Sequence, residues 1–247
     1  MNDNIHVCKS EQALHERAAA YIAKQANEAV FAHNVCHIAL AGGTTPAGLY
    51  RTLARPAFAS KIQWARTHIW FGDERCVAPD HPESNFRMAR INLLDRVPLP
   101  QANIHRIQGE LAPEQAAADY ARRVAKEVAA VNKLPRFDLI LLGVGTDGHV
   151  ASLFPGTDIV GRTEIAAAVH VPALDAWRIS LTLPVINNAN HVVVLAAGEK
   201  KADVVRRALQ GAPEPQALPV QMVKPAGDLH WYLDASAAAQ LRTEPTP

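Results

Sequence analysis

The run Leu139-Ile140-Leu141-Leu142, preceded by Asp138 and closed at once by Gly143, constrains the fold more than any other stretch of the chain. It is too short for a typical helix and has no polar face, so it reads as a strand buried on both sides of a parallel sheet. Three glycines follow, Gly143, Gly145 and Gly148, and they surround two ionisable groups, Asp147 and His149. Glycine lets the backbone take positive φ and approach a ligand closely. A histidine between glycines, at the carboxyl end of a central strand and two residues from an aspartate, sits where open α/β sheets bind their ligands.

The same glycines satisfy G-x-G-x-x-G, the dinucleotide fingerprint, but the context argues against that use. The fingerprint needs a full helix after the third glycine to aim its N-terminus at a pyrophosphate, and Pro155-Gly156 stops any helix within about two turns. It also lies past the middle of the chain, with Asp175 as the only acidic residue near the ribose-binding spacing.

The 247 residues are 49% hydrophobic and 20% charged, enough to bury a sizeable core as one domain spanning residues 1–242, with a disordered tail at 243–247. Lys plus Arg number 25 and Asp plus Glu 24, so the net charge of +1 points to neither nucleic acid nor an anionic membrane, and any anion site is local. Three scattered cysteines, Cys8, Cys36 and Cys76, make no disulfide framework and favour a reducing compartment. The N-terminus lacks the basic and then apolar profile of a signal peptide, so a cytoplasmic monomer or weak homodimer is expected.

Other strand-to-helix junctions repeat the first. Ser10 predicts an N-cap for a helix to about His33, with Leu14, Ala18, Tyr21, Ile22 and Ala29 inward. The strand Val35–Ala41 breaks into Gly42-Gly43-Thr44-Thr45, with Pro46 placed as the first residue of a helix. Such a junction points backbone N–H groups and the positive end of a helix dipole at one spot, which suits a phosphate. Thr67–Phe71 reads as a strand ending in Gly72-Asp73-Glu74-Arg75, with Arg75 suited to a phosphate or carboxylate. Helices are predicted from Phe86 to about Arg96, with Met88, Ile91, Leu93 and Leu94 inward, and from Pro113 to about Asn132. The second of these carries Ala116 to Ala118, Tyr120, Ala121, Val124, Val128 and Val131 on its packing face. Strands follow at Ala166–Val171, Arg178–Leu183, His191–Ala196 and His230–Leu233, with a helix after Gly198-Glu199-Lys200-Lys201 and a short closing helix from Asp234. No internal repeat appears, and the elements read as a single-domain, doubly wound, Rossmann-like α/β fold, a mostly parallel sheet with helices on both faces.

Four stretches together resemble the 6-phosphogluconolactonase family, within the larger group that includes glucosamine-6-phosphate deaminase. They are LAGGTTPAGLY from Leu40, WFGDERCV from Trp70 with SNF from Ser84, LGVGTDGHVASLFPG from Leu142, and AAGEKKA from Ala196. The deaminases similar to this chain carry an acidic residue five positions after the histidine of their DGH motif, where it assists opening of the sugar ring. Phe154 stands there in this chain, so the resemblance implies lactone hydrolysis rather than deamination.

By that resemblance His149 is the general base that activates water, with Asp147 and Asp73 as the carboxylates that orient it or hold sugar hydroxyls. Backbone N–H groups of the Gly143–Gly148 turn, Gly145 included, are expected to serve the oxyanion. Gly42, Gly43, Thr44, Thr45, Arg75, Lys201 and Arg178 are expected to hold the phosphate, and Asn85 to contact substrate. The substrate is a small phosphorylated sugar lactone, and neither metal nor cofactor is called for.

Overall fold

The computed structural model describes residues 4–242; the tail expected at 243–247 lies outside the described residues. Strand β1 (Ile5–Cys8) leads into helix α1 (Glu11–His33), strand β2 (Cys36–Leu40) and helices α2 (Thr44–Leu53) and α3 (Pro56–Ala59). Strands β3 (Thr67–Phe71) and β4 (Asp73–Arg75) follow, then α4 (Asn85–Asn92), α5 (Pro113–Glu127) and a hairpin of β5 (Ala130–Val131) and β6 (Leu134–Pro135). The remaining elements are β7 (Leu139–Gly143), β8 (Ala166–Val171), β9 (Ala176–Leu181), α6 (Leu183–Asn187), β10 (His191–Ala196), α7 (Ala202–Gln210) and β11 (Asp228–Asp234).

Six strands form one parallel sheet in the order β1-β11-β10-β7-β2-β3. Consecutive residues of β2, β7 and β10 are buried almost without exception. Since neighbours along a strand point to opposite faces, both faces of the sheet are covered, as the unbroken apolar runs predict. The chain leaves β2 toward β3 on one side and leaves β7 toward β10 on the other. Their shared ladder is only two pairs long, Ile38 with Leu139 and Ala39 with Ile140, and beyond it the strands part. A second, antiparallel sheet, β4-β9-β8, hangs from the end of β3 by the single residue Gly72. Gly72 ties the two sheets together, its N–H donating to Leu40 O at 2.8 Å while its carbonyl accepts from Leu181 N at 2.8 Å.

Local chemistry sets the helix ends. Ser10 caps α1 as expected, its Oγ accepting from Ala13 N at 3.2 Å, and Asn34 closes the helix in the left-handed region. Several elements depart from the expectations. β1, unrecognised in the sequence, is an edge strand pairing β11 from Ile5 to Cys8. α4 stops at Asn92, because Leu93 leaves helical geometry and a 3₁₀ turn follows, and Ile91, still within the helix, faces outward and is exposed rather than packed. α5 stops at Glu127, where Val128 turns extended, and Asn132 and Lys133, both at positive φ, form the tight turn between β5 and β6. Val131, in β5, is therefore exposed; Ala118, on the outer side of α5, is exposed as well, while Tyr120 and Val124 are buried as expected. No closing helix follows Asp234; turns occupy that stretch, with Asp234 Oδ1 accepting from Gly198 N and Ala237 N. Among the described residues no helix is long and apolar enough to cross a membrane.

The sheet's opposite end gathers histidines. His37 Nδ1 accepts the Trp70 indole N–H at 3.0 Å, and His68 bonds His105 at 2.9 Å. Burial pushes His37 down to about 3, with His68 and His105 nearby adding to the effect, and pushes His105 and His6 down to about 4. The unfolded chain takes up these protons below about pH 6.5, so between about 6.5 and 4 it binds more protons than the folded chain and stability rises with pH. The melting temperature is therefore expected to fall as pH is lowered from neutral toward 4.5, more shallowly in His37→Asn, whose amide oxygen takes the place of Nδ1 as acceptor for Trp70. A flat wild-type profile in calorimetry would contradict this account.

Candidate active site

Where β2 and β7 part, a cleft of about 200 Å³ opens at their carboxyl ends. On the β2 side, Gly43 at φ +103° is the N-cap of α2 and makes no side-chain cap bond. Pro46 falls at the third helical position rather than the first, and since proline has no N–H, Thr44 and Thr45 carry the first-turn donors. Those N–H groups and the helix dipole give this wall a positive potential. Gly42 has a steric reason as well: the Asn85 carboxamide fills the space its side chain would need.

The register of β4 against β9 sets the next wall. Asp73 faces Ser180 and Arg75 faces Arg178, so these four side chains share one face of the antiparallel sheet. Asp73 is buried, its carboxylate accepting from Asn85 Nδ2 at 3.2 Å and from Ser152 Oγ at 2.8 Å. Glu74 points the other way, and its two oxygens accept from Arg75 N, Asn85 N, Phe86 N and Ser84 Oγ at 2.7 to 3.1 Å. Burial pushes the Glu74 carboxyl up, and the N–H groups at the start of α4 pull it part of the way back. Arg75 Nη1 donates to Glu83 O at 2.6 Å, while its buried Nε has no partner. Two arginines directly opposite in a ladder repel. Burial first, and then Arg75, lowers the Arg178 pKa.

The turn after β7 carries the third wall. His149 Nδ1 lies 2.6 Å from Asp147 Oδ1, and a carboxylate acceptor assigns the proton to Nδ1. Nε2 has no partner among the described residues, and in the neutral imidazole it carries the free lone pair. Partial burial pushes the Asp147 carboxyl up, but the hydrogen bond and charge of His149 outweigh it and the net direction is down. The Phe154 ring stacks on the imidazole at 4.1 Å between centroids. Gly145 is glycine because the imidazole and the Asp147 carboxylate occupy its side-chain space. Its N–H donates to His149 O at 2.8 Å, and the Gly148 N–H donates to Gly145 O at 3.0 Å. Neither is therefore available to an oxyanion, which narrows the role expected of this turn to its other N–H groups. No helix follows Gly148, as Pro155-Gly156 foretold.

Gly42, Gly43, Thr44, Thr45, Asp73, Arg75, Gly145, His149 and Lys201 all line this one cleft. Asp147, Asn85 and Arg178 stand directly behind or beside it, each against a lining residue. Lys201 rather than Lys200 reaches the cleft, and burial lowers its pKa while Asp147 nearby opposes the effect. Ser152, Ser180 and the structural role of Glu74 were not foreseen. Ser152 lies in the motif loop, but its partner Asp73 is 79 residues away, a separation that leaves no local signal.

Fold and site define a doubly wound α/β protein whose switch-point cleft sets a helix N-terminus and arginine opposite a His–Asp pair, with a lysine on the side of that pair. The chain belongs to the family described as glucosamine-6-phosphate isomerases/6-phosphogluconolactonase, whose model matches residues 9–231. It is 40% identical to the 6-phosphogluconolactonase of a Synechocystis species over 98% of this chain and 100% of that one. The crystal structure of 6-phosphogluconolactonase from Leishmania guyanensis is similar with a TM-score of 0.87 at 27% identity, covering 98% of this chain and 100% of that one. A monomeric glucosamine-6-phosphate deaminase shares the fold, with a TM-score of 0.81 at 20% identity over 96% of this chain and 100% of that one.

Glu74→Gln replaces an acceptor oxygen with an amide that faces N–H donors. It is expected to destabilise the chain by about 1–3 kcal/mol in denaturant unfolding. An unchanged midpoint would show that Glu74 does not organise this wall.

Proposed function

We propose that the chain hydrolyses 6-phospho-D-glucono-1,5-lactone to 6-phosphogluconate, the lactonase step of the oxidative pentose phosphate pathway. The observation that carries this reading is the free Nε2 of His149 in a cleft whose far wall is cationic. A lactone is an ester. His149 Nε2 takes a proton from water as the water oxygen bonds to C1, and Asp147 holds the imidazole in the tautomer this needs and stabilises its charge. The C1–ring oxygen bond then breaks and the imidazolium returns its proton to the ring oxygen. The new carboxylic acid ionises and releases a proton to solvent. Asp73, fixed by Asn85 and Ser152, is placed to hold sugar hydroxyls. The α2 N-terminus, Arg75, Arg178 and Lys201 hold the phosphate.

The family also includes isomerising deaminases. Their ring-opening carboxylate has no counterpart here, since Phe154 fills that position and stacks on His149.

The test follows acid release from freshly prepared lactone against the spontaneous background. Wild type is expected to exceed that background by a wide margin and to release no ammonia from glucosamine 6-phosphate. His149→Ala should stay folded and lose ~10²-fold or more in kcat. A folded His149→Ala protein with near-normal turnover would refute the base assignment and move attention to Asp73. For the phosphate wall, Arg75→Ala and Lys201→Ala are each expected to weaken use of the phosphorylated lactone by roughly 10- to 10²-fold, the scale of a lost charged hydrogen bond. The unphosphorylated lactone should be little affected, and equal losses on both substrates would remove these residues from the phosphate site.

A further inference from the structure

Asp147 and Phe154 hold the His149 ring, but the peptide that carries the ring needs a support of its own, and that support comes from residues 211–223, between α7 and β11. Residues 211–217 of this segment are exposed, yet Leu218, Pro219 and Val220 are buried, Leu218 completely. Leu218 fills the space a side chain on Gly148 would need, with its own Cα 3.0 Å from where that Cβ would stand. Val220 N–H donates to Gly148 O at 3.0 Å. The Gly148 carbonyl and the His149 N–H belong to one planar peptide, so fixing the carbonyl fixes the direction in which His149 departs. Gly148 sits at φ +84°, where the backbone has few steric restraints of its own.

The segment is rigid enough to act as a backstop. Leu218 N–H donates to Glu214 O at 2.7 Å, and Glu214 N–H donates to Gln221 Oε1 at 2.6 Å. Gln221 Nε2 reaches Arg207 O and Ala212 O, both at 3.0 Å, and the Arg207 guanidinium pairs with Glu214 at 3.1 Å. Arg207 lies on α7, the helix that starts immediately after Lys201. One continuous stretch thus joins the lysine of the cleft to the underside of the histidine turn.

We propose that Leu218 is a positioning residue for the reaction: packed beneath Gly148 and aided by the Val220 N–H, it sets the aim of His149. The proposal rests on His149 being the base. A 1 Å misplacement of a catalytic group costs up to about 10²-fold, so a cavity at Leu218 should be felt in turnover before binding.

Leu218→Ala, Leu218→Val and Leu218→Met are compared with Val205→Ala, a cavity of similar kind at a fully buried α7 position outside the cleft. Steady-state kinetics and the melting temperature are read with the downfield NMR resonance of the Nδ1 proton that His149 shares with Asp147. In Leu218→Ala, kcat is expected to fall roughly tenfold or more with KM little changed, and the proton resonance to move or broaden. Leu218→Met should restore both, and Val205→Ala should lose thermal stability with kcat and resonance intact. Should Leu218→Ala fail to fold, Leu218→Val, with one methylene fewer, decides by the same readouts. An unchanged resonance or unchanged kcat in the folded Leu218 variant overturns the proposal, as does an equal kcat loss in Val205→Ala. Failure of the base assignment shows separately, as an active His149→Ala, while the resonance still reports whether Leu218 positions the ring.

Discussion

Two adjacent parallel strands that send the chain to opposite edges leave a crevice that no connection covers. In this protein the strands are β2 and β7, and the brevity of their ladder, ending at Ala39 and Ile140, opens that crevice early. Everything chemical depends on it. The turn after β2 presents α2's donors, the turn after β7 presents His149, and both need glycine because close neighbours fill the side-chain space: Asn85 at Gly42, the His149–Asp147 pair at Gly145 and Leu218 at Gly148. The sheet beneath is inert hydrocarbon buried on both faces, which gives loops of such unusual geometry a platform that does not yield.

The antiparallel sheet adds what a parallel sheet alone does not. Leaving β3 through Gly72, the chain alternates Asp73 and Arg75 toward the cleft and Glu74 away from it. Glu74 then serves the backbone rather than the ligand. Its carboxylate occupies the N-terminus of α4, where unpaired N–H groups and the dipole favour negative charge, and so fixes Asn85 against Gly42 and Asp73. A motif that reads as three bunched charges is thus divided by strand alternation into two functions.

The sequence made the strand-to-glycine junctions legible because each is local: an apolar run, a glycine, then a polar group within a few residues. That was enough to gather His149, Asp73, Arg75, Lys201 and the α2 turn into one cleft. Helix ends were less legible. The inward stripes of α4 and α5 continue in sequence past the point where Leu93 and Val128 leave helical geometry, since periodicity does not register the backbone angle that ends a helix. Long-range register was not legible at all. Nothing near Arg75 announces that Arg178 will stand opposite it, nor near Asp73 that Ser152 will hold it. The Gly145 and Gly148 N–H groups were counted as free because sequence does not show that the turn closes on itself through them.

The opposed arginines carry a thermodynamic meaning of their own. Arg75 and Arg178 stand directly opposite in the β4–β9 ladder, and their mutual repulsion is opposed in part by Asp73 and Glu83 nearby. If the phosphate of the proposed substrate lies between the two arginines, it turns repulsion into two attractions, and the binding constant then contains relief of internal stress as well as contact. By linkage, such a ligand would tighten β4 against β9, and with it the strand that carries Asp73. On the proposed function, occupancy at the phosphate end would thereby be transmitted, through three residues of one short strand, to the Asp73 carboxylate.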